Sequence, residues 1–375
     1  MRPAADPART ELDRRVLDWM REPDWSEDDA RFEELALALF AFQFERCPPY
    51  ARFCQGRGVE PGSLCHWREI PAVPTGAFKE VGLRSFPVER TVRTFRTSGT
   101  SRESQARDRG ELHLDTLALY EASLLPAFER GVLPDRKPDE PIRLRFLAPA
   151  PAEAPDSSLS HMFGCVLAAW GDARSGFDVR GGVLRTEELF QELEHARAEG
   201  IAVTLCGTAF GFVHLLDALE EEGRCLPLPD GSRAMETGGF KGRSRKLSLS
   251  ELHAGIEARL GIPAARIVNQ YGMTELGSQF YDSVLGEPGG IRRKRRPPWT
   301  RVRLLDPSTG REAAADRAGR IAVLDLANTG SVLAVQTADL GRSLADGFEV
   351  LGREPGAEAR GCSLAADLML ADAAE

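Results

Sequence analysis

Arg266-Ile-Val-Asn-Gln-Tyr-Gly-Met-Thr-Glu275 is a short apolar run that breaks into a glycine turn bearing an aromatic ring, a hydroxyl and a carboxylate. Arg266–Gln270 reads as a strand, and the polar groups follow at its carboxyl end. A nucleotide finds its complements in such a place. Tyr271 can stack on a base, Thr274 can bond a phosphate, and Glu275 can hold Mg2+ through its oxygens. Taken alone, the same residues also suit a strand cap that ends in a solvated Glu.

Outward from this run, short apolar stretches alternate with helical patterns. Leu144–Leu147 and Ile201–Leu205 read as strands, and 186–198, 209–222 and 249–260 as helices. That alternation predicts an α/β sheet with helices packed on it. On the N-terminal side, 9–45 reads as two helices and 47–90, rich in Pro and Gly, as irregular cover. Thr91–Arg96 reads as a strand, 97–111 as a polar loop, and the region near 112–130 as a helix. From about residue 299 the pattern changes. Val302–Leu305, Ile321–Leu324, Val332–Gln336 and Phe348–Leu351 are β-like runs with no helix among them, and Ser363–Ala374 reads as a closing helix. The expected organisation is an N-terminal cover over 1–90, an α/β core over 91–298, a β-rich subdomain over 299–352 and a tail over 353–375.

Composition narrows the function classes. Among 375 residues, 42% are hydrophobic and 28% charged, the usage of a folded globular chain. A net charge of −9 argues against a duplex-DNA binder. The longest run without Asp, Glu, Lys or Arg is Gly200–Leu216, 17 residues, against the ~20 apolar residues of a membrane span. No apolar signal core follows Met1, so a cytoplasmic location is expected. Seven scattered cysteines make no disulfide framework. Cys47, Cys54, Cys65 and His66 lack the Cys-x2-Cys pair of a zinc site, and the three cysteines read as small buried thiols. No Gly-x-Ser-x-Gly supports a serine hydrolase.

Two further segments carry polar chemistry. Thr97-Ser-Gly-Thr-Ser-Arg-Glu-Ser104 lies between a β-like run and a helical one, and its hydroxyls and successive N–H groups can cradle a phosphate. It lacks the Gly-Lys-Ser/Thr of a Walker A loop. Thr337-Ala-Asp-Leu-Gly-Arg342 follows a strand-like run, where a carboxylate commonly accepts bonds from ribose hydroxyls.

In this order and spacing the three segments, with Gly352-Arg353 behind them, resemble the adenylate-forming superfamily of acyl and aryl ligases. Pro71–Lys79, Pro155–Met162, Thr237-Gly-Gly-Phe-Lys241, Pro297-Pro-Trp299, Asp325-Leu-Ala-Asn328 and Arg360-Gly-Cys-Ser-Leu364 are similar to the acyl-protein synthetase branch, the LuxE type. The resemblance runs from about residue 32 to 370. It implies an α/β fold like the large domain of those enzymes, with a β-rich subdomain and a short C-terminal tail. It also implies a two-step reaction: a carboxylic acid, a fatty acid first of all, attacks ATP to give acyl-adenylate and pyrophosphate, and a protein thiol then takes the acyl group and releases AMP.

Carried over by position, the resemblance gives Ser98, Gly99, Thr100 and Ser101 to the phosphates, with Gly238, Gly239, Tyr271, Gly272 and Thr274 in the ATP site. Asp339 and Arg353 would hold the ribose, Glu275 the Mg2+, and His161 and Gly207 would line the acyl site. Cys362 would be the acyl-carrying thiol. It sits just before Ser363, a natural N-cap, where a helix N-terminus favours the thiolate. The superfamily's phosphate-loop lysine has no counterpart after Gly99, Ala338 stands where relatives carry Gly, and no lysine is assigned to adenylation. Partners would be the acid and an acyl-reductase, acyl-transferase or carrier protein. Two alternatives remain: a ligase that passes an aryl, amino or hydroxy acid to CoA, a carrier protein or an amine, and a non-catalytic acyl- or nucleotide-binding scaffold.

Two stretches stay open. Arg292-Arg-Lys-Arg-Arg296 is either a solvated loop or a docking patch for an acidic partner or nucleotide. Val203–Leu216 is either core or part of an acyl tunnel.

Overall fold

A computed structural model describes residues 4–97, 109–137, 140–238, 248–287, 289–314, 317–353 and 369. It divides into two compact units. One comprises 1–124, 273–279 and 295–375; the other comprises 125–272 and 280–294.

In the first unit, α1 (Pro7–Met20) and α2 (Asp29–Arg46) are the two expected N-terminal helices, and α3 (Pro48–Gln55) follows after one residue. Asp6 and Asp28 cap the first two, each accepting a bond from a backbone N–H of the opening turn. Phe32, Leu35, Leu39 and Phe40 of α2 are buried, as their helical spacing predicts. The segment expected to be irregular therefore holds α3, the two-residue strand β1 (Val73–Pro74) and the single turn α4 (Ala77–Glu80). Next come β2 (Arg93–Arg96) and β3 (Glu111–Leu114), paired antiparallel as a two-stranded ribbon. The helix expected from 112 begins later, as α5 (Ala118–Val132). Glu111-Leu-His-Leu114 alternates buried and half-buried with period two, so it belongs to the ribbon.

The β-rich C-terminal part is present as expected. Strands β11 (Thr300–Leu305), β12 (Gly319–Asp325), β13 (Ala334–Leu344) and β14 (Gly347–Arg353) pair antiparallel in sequence order, and β1 adds parallel to β13. The closing helix expected at 363–374 lies outside the described residues, apart from Met369.

The second unit is a seven-stranded sheet in the order β10-β9-β8-β7-β4-β5-β6. Its centre, β4 (Arg143–Pro149), β7 (Val203–Thr208), β8 (Arg233–Thr237) and β9 (Ile267–Tyr271), is parallel. At one side β5 (Gly176–Arg180) continues parallel and β6 (Val183–Leu184) turns back. At the other, β10 (Phe280–Tyr281) runs antiparallel to β9. Helices α6 (Ser158–Trp170), α7 (Thr186–Glu199), α8 (Ala209–Glu221) and α9 (Leu249–Leu260) connect them. Leu189, Phe190 and Leu193 of α7, Phe212 and Leu216 of α8 and Ile256 of α9 form one core with Val203 and Leu205. Helices α7 and α9 stop at Gly200 and Gly261, both left-handed, the conformation that glycine adopts without strain. Helix α6 carries no expectation from the sequence; Ser157 caps it through the Ser160 N–H. Among the described residues no helix is long and apolar enough to cross a membrane.

Candidate functional site

In the first unit the β2–β3 ribbon ends in a closed neck. The Thr97 N–H donates to the Gly110 carbonyl, and the Gly110 N–H donates to Thr97 Oγ1, both at 2.9 Å. Arg109 Nε donates to the Thr97 carbonyl at 2.5 Å, and Arg96 Nε donates to Glu111 Oε1 at 2.8 Å. The residues that leave this neck include Ser98, Gly99, Thr100 and Ser101, all outside the described residues. The Glu275 carboxylate lies against the neck: a Cβ placed on Gly110 would come within 3.6 Å of Glu275 Oε1 and 3.3 Å of Thr97 Cγ2. The fold thus brings Glu275 to the base of the hydroxyl-rich stretch, although more than 160 residues separate them in sequence.

A buried polar network fixes that position. Asn328 Nδ2 donates to the Glu275 carbonyl at 2.9 Å. The Asp325 carboxylate accepts the Ser278 N–H and hydroxyl and the Ala327 N–H, at 2.8, 2.8 and 3.0 Å. Trp299 Nε1 donates to Ser278 Oγ at 3.0 Å. Gln43, from α2, donates to the Asn328 carbonyl and accepts from the Leu333 N–H, both at 2.8 Å. Burial pushes the Asp325 carboxyl up to about 6, with the Ser278 and backbone donors opposing it. Asp325 and Asn328 belong to a segment that carries the family resemblance, but nothing in the sequence alone gives them a task. Their signal was a buried-type Asp at a strand end followed three residues later by Asn.

Asp339 and Arg353 also come together in this unit. They face each other across β13 and β14, with Arg353 Nε 3.6 Å from Asp339 Oδ1. The Arg353 side chain is about half exposed (54%), and an ion pair so placed is held weakly, about 0.2–1 kcal/mol. Thr337 Oγ1 accepts the Asp339 N–H at 3.1 Å and orients the turn of the strand. Gly352 has φ +116°, which a side chain at that position would resist.

In the second unit, β7, β8 and β9 present Thr208, Thr237-Gly238 and Tyr271-Gly272 at one carboxyl edge, where α/β sheets bind ligands. The Tyr271 ring lies 6.3 Å from that of Phe280. Thr237 Oγ1 donates to the Gln270 carbonyl at 3.1 Å and also bonds its side-chain oxygen. A Cβ on Gly272 would strike the Gln270 amide, and Gly238 has φ +84°. Gly239 lies outside the described residues. His161 sits in the first turn of α6, half-buried. At Gly207 a Cβ would stand 2.7 Å from that of Leu147, its register partner on β4, so close strand packing accounts for the glycine. Around it Val203, Leu205, Phe212, Val213, Leu215 and Leu216 are core.

The basic run at 292–296 is not a uniformly solvated loop: Arg295 is exposed, but Lys294 is buried and Arg292, Arg293 and Arg296 are half-buried. Lys294 is buried; Nζ donates to the Asn269 carbonyl at 2.6 Å and to Asp282 Oδ1 at 2.9 Å. Burial lowers its pKa while Asp282 opposes the shift. Arg292 bonds the Ile267 carbonyl and Asp282, and Arg293 pairs with Glu287. In the first unit, Arg296 pairs with Glu27. Cys47 and Cys54 are buried, as expected, and desolvation raises both thiols, Cys54 to about 12; Cys65, expected to be buried too, is instead exposed on the surface, and with the half-buried His66 they form no metal-binding group among the described residues. Cys362 lies outside the described residues.

No family model matches the chain, and no curated protein matches it. Solved structures do. The chain is similar to 2-hydroxyisobutyryl-CoA ligase in its postadenylation state with 2-HIB-AMP: TM-score 0.60, 14% identity, 89% of this chain and 72% of that one covered. Against the open conformation of that ligase, with 2-HIB-AMP and CoA, the TM-score is 0.58 at 14% identity, covering 86% and 75%. At such identities the likeness shows the fold: this is the α/β fold of adenylate-forming acyl-CoA ligases, as the sequence led us to expect.

Proposed function

We propose that this chain activates a carboxylic acid, a fatty acid first of all, as its acyl-adenylate at the expense of ATP, and then passes the acyl group to a protein thiol, Cys362. Such an activity would be that of the acyl-protein synthetase branch, which the sequence resembles. The observation that carries the reading is the Glu275 carboxylate held by a buried network at the neck of the 98–108 stretch.

Each residue has a task in that reaction. One carboxylate oxygen of the acid attacks the α-phosphorus, a C–O–P link forms and pyrophosphate departs. Ser98, Gly99, Thr100 and Ser101 offer hydroxyls and N–H groups to the phosphates, and Thr274 offers a further hydroxyl. Tyr271 packs on adenine beyond Gly238, Gly239 and Gly272. Asp339 accepts from the ribose hydroxyls and Arg353 donates to them. Hard carboxylate oxygens such as those of Glu275 suit Mg2+, which when bound supplies positive charge to the phosphate oxygens. In the second step a thiolate attacks the acyl carbon and AMP leaves. His161 and Gly207 would line the path of the acid.

A second reading, favoured by the fold likeness to a ligase whose structures hold CoA, sends the acyl group to CoA instead. Acid-dependent ATP–pyrophosphate exchange tests the common step. Its absence with fatty, aryl and hydroxy acids alike would sink the adenylate reading and leave a binding scaffold. Hydroxylamine-sensitive acyl label on the chain, as against acyl-CoA in solution, separates the two acceptors.

A further inference from the structure

Resting on that reading, we infer that Cys165 and His161 form a thiol nucleophile and its base, and that this pair takes the activated acyl group as a thioester before it passes on. The two residues lie one turn apart on α6, with Sγ and Nε2 at 3.6 Å, hydrogen-bond distance for sulfur. Both are half-buried. That combination suits a reactive thiol: full burial disfavours the thiolate, and an imidazole beside the sulfur takes its proton.

The other described cysteines lack this combination. Cys47, Cys54 and Cys206 are buried, and desolvation raises all three thiols. Cys65 and Cys225 are exposed; Cys225 is approached by Arg259 Nη1 at 3.7 Å, with no imidazole at either sulfur. Only Cys165, among the described residues, has a ring nitrogen at its sulfur.

Location supplies a second argument. Helix α6 follows the carboxyl end of β4, so its first turn stands at the edge that presents Thr208, Gly238 and Tyr271 in the same unit. Between His161 and Cys165, Met162 Sδ receives the Tyr281 hydroxyl at 3.6 Å, and Tyr281 lies on β10, paired to the Tyr271 end of β9. Helix α6 is thus linked, through Met162 and Tyr281, to the strand that ends in the residue assigned to adenine. Gly164 belongs to the same arrangement, because a Cβ there would stand 2.7 Å from Pro151 Cγ and push away the loop that leads into the helix.

The step balances without a further reagent. The Cys165 proton moves to His161 Nε2. Sulfur attacks the acyl carbonyl carbon, a C–S bond forms, and the bond from that carbon to the phosphate oxygen breaks. AMP departs with the electron pair. Passage onward is thioester exchange with a second thiol, Cys362 or an external one.

The test is quenched-flow labelling of the full chain with Mg-ATP and a radiolabelled acid, followed by tryptic mapping. Cleavage at Arg145 and Arg174 releases a peptide, 146–174, whose single cysteine is Cys165. Hydroxylamine-sensitive label on this peptide at the earliest times, absent from Cys165→Ser, is the expected result. Exchange with no label on the peptide at any time would overturn the inference while leaving adenylation intact. If no acid supports exchange, adenylation itself fails, and the pair is judged by alkylation. Iodoacetamide should modify Cys165 about tenfold slower at pH 7 in His161→Gln than in the parent chain. Equal rates would overturn it.

Discussion

The Asp325 carboxylate accepts both hydrogen bonds that Ser278 can donate, from its N–H and its hydroxyl, each at 2.8 Å. Neither side chain has a place in the proposed chemistry, yet this contact decides where Glu275 stands. Ser278 lies three positions after Glu275, and Asn328, three beyond Asp325, holds the Glu275 carbonyl.

Removal of the Asp325 carboxyl should therefore loosen the site and the first unit together. Asp325→Ala leaves the Ser278 and Ala327 donors buried and unmatched, a cost of about 3 kcal/mol. Urea denaturation should show that loss, and exchange activity should fall with it. In Asp325→Asn, whose amide keeps one acceptor oxygen, the loss should be smaller. Equal stability of the alanine variant and the parent would contradict the network described.

The same carboxyl gives stability a pH dependence with a definite sign. Burial raises Asp325 from 3.8 to about 6, so the folded state binds its proton more tightly than the unfolded state. Its contribution is fully present below about pH 4 and is lost as pH rises through about 6. Stability profiles of the parent and Asp325→Asn between pH 4 and 7 should differ by a component that declines across this window. Parallel profiles would refute it.

Gly110→Ala should injure the site with little effect on folding. The new methyl would meet Thr97 Cγ2 at 3.3 Å, Phe78 Cβ at 3.4 Å and Glu275 Oε1 at 3.6 Å. A neck that must give by a few tenths of an ångström should raise the KM for ATP about tenfold, as small misplacements do. An unchanged KM would separate the neck from the nucleotide.

Lys294→Met should destabilise the second unit by about 3 kcal/mol. It removes a buried cation and leaves Asp282 with Arg292 as its other partner. A stability within 0.5 kcal/mol of the parent, the ordinary range for a surface change, would contradict the burial of the lysine.

The sequence made the alternation of strand and helix legible because each core helix repeats its apolar residues at 3–4 positions, as Leu189, Phe190 and Leu193 do. The β-rich end was legible for the complementary reason, period-two runs broken by turns. Strand β3 looks helical in sequence because Leu112 and Leu114 closely precede a true helix, and only pairing with Phe95 and Arg93 reveals their period. Helix α6 escaped notice: its run from Met162 to Trp170 carries no charge to mark a solvent face. The Tyr271–Glu275 turn was visible as chemistry. Its support was not, because Asn328 and Asp325 reach it from about 50 residues away, a distance at which local pattern carries no information. The basic run misled for the same reason, since charge counts do not show that Asp282 and the Asn269 carbonyl receive Lys294.

Residues 273–279 belong to one unit while the chain on both sides of them belongs to the other. Emergence of the chain during synthesis therefore imposes an order. The parallel sheet from β4 to β9 has all its strands before residue 272, so its core can close early. The first unit begins with α1 but cannot complete its sheet until β11 to β14 have emerged, and Asp325 is among the last groups needed to seat Glu275. Local order at the Glu275 carboxylate thus arrives near the end of assembly, after the scaffold around it exists.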